Sequence, residues 1–235
     1  MNDLRRPDHV PGGEDARLGV LDTLDLPLIV LVGGGTGTGK STVTTEVAYR
    51  LGITRVTSTD IVRQTMRAFF SHEFMPSIHY SSFEASAALR NPDETADPTL
   101  TGFMGQTRNV LVGVKAVVQR ALTEKHSIAL EGIHVVPGLI PRTFERAVVV
   151  QCLLAISDEE EHARHFWVRD AGSDGLRPVD KYLRALPDIR RIQKNLVERA
   201  ERAGVPVIDN ADVDETIDRV IDLVVDEVDH ARAPA

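Results

Sequence analysis

The residues best suited to chemistry form one uninterrupted run, Gly34-Gly35-Thr36-Gly37-Thr38-Gly39-Lys40-Ser41. It fits G-x-x-x-x-G-K-[ST], a loop whose backbone N–H groups wrap a nucleotide's phosphates while its lysine reaches the β and γ groups. Gly34, Gly35, Thr36, Gly37, Thr38, Gly39, Lys40, Ser41 and Thr42 are therefore the expected nucleotide-binding residues, with Lys40 also catalytic. No guanine-reading Asn-Lys-x-Asp run accompanies them, which points to ATP rather than GTP.

Phosphoryl transfer needs Mg²⁺ to neutralise charge and a group to orient the attacking oxygen. In a parallel α/β sheet, neighbouring strands deliver their last residues to the edge where the phosphates sit. Glu131 ends one such strand and Asp60 follows another, so both are expected at the γ-phosphate. Ser41 and Glu131 are the expected metal residues, Glu131 acting through water. Asp60 is the expected partner of the substrate hydroxyl, and a helix cap is its plainer alternative. Arg63 lies one helical turn beyond Asp60, so both can face one cleft. Its planar fork suits a fixed anion on the acceptor. Arg67, one turn further, extends the same face. His79, Ser81, Ser82 and His134 are further substrate-side candidates, although neither histidine has a second ligand at metal-binding spacing. Arg164, His165, Arg169, Arg177 and Lys181 cluster around Gly172-Ser173-Asp174-Gly175. A mobile lid there would bring cations, Arg164 and Arg169 foremost, to the transferring group and exclude water. Asp209-Asn210 lies either beside the adenine or in a simple turn.

The elements that must position these groups alternate in type. Leu28 to Val32 reads as a buried strand and Lys40 to Leu51 as the helix whose N-terminus adds positive charge at the phosphates. Strands follow at Thr54–Ser58, Ser127–Glu131, Val148–Ala155 and Val205–Ile208. Between them come helices at Ile61–Phe70, capped by Thr59 or Asp60, Thr101–Glu124, from Ser157 to Arg169, and Val179–Ala203. An amphipathic helix with Val213, Ile217, Val220, Ile221, Val224 and Val228 closes the chain. Such alternation implies an α/β fold, a parallel sheet covered on both faces. Residues 71–103 form an acceptor-side insertion, helical in part between Ser82 and Leu89, and residues 158–181 form the lid. Residues 1–24 read as a flexible N-terminal arm preceding the kinase domain of residues 25–235.

With 235 residues and 42% hydrophobic content, one full core is affordable and two equal domains are not expected. The formal net charge of -8 argues against nucleic acid or a membrane surface as partner. No apolar run is long enough for a membrane span or a signal peptide, so a cytoplasmic protein is expected, with a homodimer left open. The single cysteine, Cys152, sits in an apolar run and reads as buried filler.

Five stretches together resemble the archaeal-type 2-phosphoglycerate kinase family. They are Gly33 to Thr42; Ser58-Thr59-Asp60 with Arg63; His79 with Ser81-Ser82-Phe83-Glu84-Ala85; Leu130-Glu131-Gly132-Ile133-His134; and Tyr182 through Ile192-Gln193 to Val197-Glu198. The P-loop is generic, whereas the Ser-Ser-Phe-Glu-Ala and Leu-Glu-Gly-Ile-His runs are more particular. The resemblance implies ATP- and Mg²⁺-dependent phosphorylation of the 3-hydroxyl of 2-phosphoglycerate, a small anionic substrate, to give 2,3-bisphosphoglycerate. It also implies the three-layer P-loop NTPase kinase fold, with a five-stranded sheet of order 2-3-1-4-5. Asn91 to Thr101 is acidic and proline-rich, and Asp170 to Asp180 is less basic than that family's lid. Two alternatives therefore stand beside the main reading: another phosphorylated polyol such as an inositol phosphate as acceptor, and a non-catalytic nucleotide-dependent regulatory protein.

Overall fold

A run of branched aliphatic residues such as Leu28 to Val32 suits a strand covered on both faces. In the computed structural model, which describes residues 24–90, 96–171 and 179–232, this run forms β1 (Leu28–Gly34), buried along its whole length. β2 (Val56–Ser58), β3 (Ile128–Gly132), β4 (Val148–Ala155) and β5 (Val207–Asp209) complete an all-parallel sheet of order β2-β3-β1-β4-β5. That is the fold class and strand order expected. Register aligns the working ends: Glu131 pairs with Val32 on one side and Ser58 on the other.

Helices cover both faces. α1 (Lys40–Arg50) and α7 (Val213–Arg232) bury Val43, Val47, Val220 and Val224 against Val30, Val32, Val150 and Leu154. On the opposite face, α2 (Thr59–Phe69) and α3 (Pro98–Glu124) bring Val62, Val110 and Val114 to Ile29, Leu31 and Leu130. α4 (Glu159–Ala171), α5 (Val179–Arg184) and α6 (Leu186–Ala203) complete that layer; Ile189, Ile192 and Leu196 of α6 pack with Leu153 and Phe166. Each buried aliphatic is worth about 1.5–3 kcal/mol. Of the two three-residue edge strands, β5 anchors Ile208 in this core, whereas β2 buries no residue and is held by its ladder to β3.

Local chemistry corrects the expected boundaries in three places. α2 is capped by Ser58, whose Oγ accepts from the N–H of Ile61 at 3.1 Å, and not by Thr59 or Asp60. Asp60 is thereby released from capping. α3 starts at Pro98 because Asp97 accepts from the N–H of Leu100 at 3.1 Å and Pro98, in the first turn, lacks the N–H that would need a partner. The single helix expected from Val179 to Ala203 is two, broken at Ala185. Pro187 fits only in a first helical turn, so α6 must begin beside it. The insertion holds two 3₁₀ segments, Pro76–His79 and Ser82–Ala88. Residues 1–23, the turn with Arg177, and the side chain of Arg169 lie outside the described residues.

Candidate active site

The loop between β1 and α1 is built to bind an anion. Gly39, in the left-handed region at φ +75°, turns the chain into α1, and no side chain caps that helix end. The first N–H groups of a helix have no partner within it, so here they are available to phosphate oxygens together with the helix dipole. Gly37 is also left-handed at φ +88°, and a Cβ there would stand 2.6 Å from the Phe166 ring. Convergent N–H groups require divergent carbonyls, and each carbonyl from Gly35 to Thr38 accepts a side-chain hydrogen bond. Thr38 Oγ1 and Lys40 Nζ donate to Gly35 at 3.0 and 3.2 Å. His162 Nε2 meets Thr36 at 2.8 Å, His165 Nδ1 meets Gly37 at 3.1 Å, and Asn210 Nδ2 donates to Thr38 at 2.9 Å.

Two carboxylates stand at the same edge, as their strand positions required. Ser41 Oγ donates to Glu131 Oε1 at 3.0 Å, and Glu131 is only 6% exposed. Asp60 lies in the first turn of α2 with its side chain 65% exposed. Its partial burial alone would raise its pKa, but Arg63, with His134 when protonated and Lys40, outweighs this and holds the carboxyl below the usual range. Asp60 is therefore ionised at neutral pH, a better orienting acceptor than strong base. Arg63 stands between Asp60 and the insertion. Its Nε donates to Asp60 Oδ1 at 3.3 Å and its Nη1 to the carbonyls of Ile78 and Tyr80, both at 3.0 Å. Nη2 takes no part in these three contacts.

His134 has a different place from the one expected. It is fully buried, with Nδ1 3.1 Å from Thr59 Oγ1 and Nε2 3.0 Å from Gln106 Oε1. Gln106 Nε2 in turn donates to the carbonyls of Ser77 and Tyr80 at 2.6 and 3.0 Å. Since Gln106 offers its oxygen, His134 carries its proton on Nε2 and accepts from Thr59. Burial holds its pKa down at about 4, with Asp60 opposing and Arg63 and Lys40 reinforcing the shift. A neutral imidazole with both nitrogens engaged lies beneath the cleft rather than in it: it ties the end of β3 to α2, α3 and the insertion.

The remaining candidates are spread more widely. Arg67 is exposed and its Nη1 donates to Gln64 at 2.9 Å, away from the cleft contacts. His79 Nε2 lies 2.9 Å from the carbonyl of Phe70, bracing the insertion. Ser81 Oγ accepts from Lys181 Nζ at 3.3 Å, and Lys181 also pairs with Glu84 at 2.8 Å, joining the insertion to α5. Partial burial would raise the Glu84 pKa; hydrogen bonds from Lys181 and Ser81 hold it low instead. Ser82 is buried. Arg164 is exposed and pairs with Glu161 of its own helix. Asn210, one of the two residues expected beside adenine or in a turn, is fully buried under the loop instead, while Asp209 Oδ1 accepts from the N–H of Ser157 at 2.9 Å. Cys152 is buried and its thiol is pushed up to about 12 by desolvation, an inert filler as expected.

Sequence reasoning overlooked Gln106 and the loop-holding role of His162. A signal existed for each. Gln106 interrupts the apolar stripe Phe103, Val110, Val114, where a polar residue must have a partner. His162 and Phe166 are one turn apart on α4, on the same face, and their rings stack 5.5 Å apart.

Among the described residues no group of three or more His, Cys, Asp or Glu could hold a metal ion. Ser41 and Glu131 are nonetheless hard oxygen donors of the kind that suits Mg²⁺, which draws its other ligands from phosphate oxygens and water. No helix among the described residues is long and apolar enough to cross a membrane.

No protein-family model matches the chain. It is 40% identical over 199 residues to a 2-phosphoglycerate kinase of Methanopyrus kandleri, covering 84% of this chain and 61% of that protein. To a 2-phosphoglycerate kinase of Methanothermobacter thermautotrophicus it is 43% identical over 197 residues, covering 83% and 64%. The chain thus spans just under two thirds of the length of these curated relatives. Among solved structures, TT1252 from Thermus thermophilus is similar with a TM-score of 0.52 at 20% identity, covering 86% of this chain and 98% of that one, a likeness of fold alone. On sequence, over more than four fifths of its own length, the chain is similar to 2-phosphoglycerate kinases.

Proposed function

We propose that this chain transfers the γ-phosphoryl group of ATP to a hydroxyl of a small phosphorylated acid, 2-phosphoglycerate first among them, forming 2,3-bisphosphoglycerate. The observation that carries this is one sheet edge bearing an uncapped P-loop helix, the Ser41–Glu131 pair and an ionised Asp60 held by Arg63. The kinship with 2-phosphoglycerate kinases supports the acceptor.

In this reading the loop N–H groups and Lys40 hold the β and γ phosphates. Ser41 and, through water, Glu131 would hold Mg²⁺, which supplies charge neutralisation at those phosphates when bound. Asp60 accepts a hydrogen bond from the acceptor hydroxyl and points its oxygen at the γ phosphorus. The new P–O bond forms as the bond to the β–γ bridging oxygen breaks, leaving that electron pair on ADP. The hydroxyl proton passes to Asp60 and then to solvent. A loose transition state asks little of a base, so a carboxylate of lowered pKa suffices. Arg63 Nη2 meets the acceptor's phosphate or carboxylate, with Ser81 and Ser82 alongside. Arg164 and Arg169, the lid cations expected from the sequence, would approach the transferring group and help exclude water. A reaction consuming ATP in this way belongs in the cytoplasm.

The test is ADP release by the pure chain with ATP and Mg²⁺ against a panel of phosphorylated three-carbon acids and inositol phosphates. Release should depend on acceptor and be fastest with 2-phosphoglycerate. Preference for an inositol phosphate would move the acceptor to that class. Slow release indifferent to every acceptor would replace the kinase by a nucleotide-dependent regulator.

A further inference from the structure

A phosphate loop works only while its N–H groups converge, and its buried carbonyls must then find donors on their other side. Here two of those donors come from α4, the helix that also carries Arg164. His162 is 0% exposed, and its Nε2 lies 2.8 Å from the carbonyl of Thr36. Its Nδ1 has no hydrogen-bond partner among the described residues, so the ring's proton belongs on Nε2, as donor. The ring is clamped in place: it stacks on Phe166 at 5.5 Å and 21°, and Phe166 stacks on Tyr182 of α5 at 5.1 Å and 10°. The Phe166 ring also fills the space a side chain at position 37 would need. His165 makes the companion contact, Nδ1 to the carbonyl of Gly37 at 3.1 Å.

We propose that His162, seconded by His165, is a positioning residue for the nucleotide: it keeps the Thr36–Gly37 peptide turned so that its N–H faces the phosphates. Without that donor the part-buried Thr36 carbonyl loses its side-chain partner, and rotation of the peptide towards another donor withdraws an N–H from the anion site. The same contact makes α4 the frame of the donor loop, so the position of the lid helix and the shape of the loop are set together. The inference rests on the loop being a nucleotide site and is independent of which acceptor is used.

The test is calorimetric titration of the full chain with ADP and Mg²⁺, alongside melting of the unliganded protein. His162→Phe keeps the ring stack and removes the donor; His162→Gln restores a donor without the ring. His162→Phe should weaken ADP about tenfold or more, the scale of a lost buried hydrogen bond with its consequences, and raise the KM for ATP while leaving the acceptor's KM unchanged. His162→Gln should recover most of the affinity, which a merely space-filling role would not permit. His165→Leu should weaken ADP in the same sense, and it carries the test if His162→Phe does not fold. Wild-type chain that binds no ADP overturns the donor-site reading and this proposal with it. Wild-type chain that binds ADP while the donor-less variants bind it equally well, or His162→Gln no better than His162→Phe, overturns this proposal alone.

Discussion

Stability should fall steeply as pH drops below neutrality, and His134 should be a principal cause. An ordinary histidine takes its proton near pH 6.5, whereas burial lowers the pKa of folded His134 to about 4. Between those values the unfolded chain binds the proton and the folded chain does not, so stability rises with pH in that window. The contribution is fully present above pH 6.5 and is lost as pH falls towards 4. At about 1.36 kcal/mol per unit, the whole separation is on the order of 3 kcal/mol. About 2 kcal/mol of it disappears between roughly pH 7.5 and pH 5. Other groups contribute in the same sense, so the assay is a difference: urea denaturation of wild type and His134→Gln at both pH values, followed by far-ultraviolet circular dichroism. Glutamine keeps a donor for Gln106 and an acceptor for Thr59 but has no proton to gain. The wild type should lose about 2 kcal/mol more than the variant over this interval. Equal losses would mean that His134 is not held neutral in the fold, and the network assigned to it would be wrong.

Two further substitutions probe the loop and the core. Gly37→Ala places a Cβ 2.6 Å from Phe166 at φ +88°, a conformation costing on the order of 1–3 kcal/mol before any overlap is counted. It should weaken ADP binding more than tenfold by calorimetry, and wild-type affinity would contradict the loop geometry. Gln151 is 4% exposed in the middle of β4, and neither amide atom has a partner among the described residues. Gln151→Leu should raise the urea-derived stability by about 1–3 kcal/mol and leave catalysis untouched; a loss of stability would reveal a hidden partner for the amide.

What was legible in the sequence depended on how local its cause is. The P-loop, β1 and the Glu131 strand end were readable because strand, glycine loop and helix follow one another within a few residues, and sheet order then carries Glu131 to Ser41. Asp60 was readable as a carboxylate at this edge but not as free of capping duty, since Ser58, Thr59 and Asp60 are all competent caps and only the backbone angle at Ser58 chooses. His134 was misread because facing the cleft or lying under it depends on Gln106, distant in sequence, and on Thr59. Arg63 was rightly placed beside Asp60, yet its hold on Ile78 and Tyr80 could not be foreseen without the path of the insertion. The Pro187 break was present in the sequence and was overridden by helical periodicity on either side.

The proposed function requires this sheet edge to move a phosphoryl group to an acceptor hydroxyl rather than to water. Phosphorus-31 magnetic resonance of a complete reaction with ATP, Mg²⁺ and 2-phosphoglycerate decides it directly. One bisphosphorylated three-carbon acid should form for each ADP, with no inorganic phosphate above the acceptor-free control; ADP matched by inorganic phosphate, with 2-phosphoglycerate unchanged, would contradict the account.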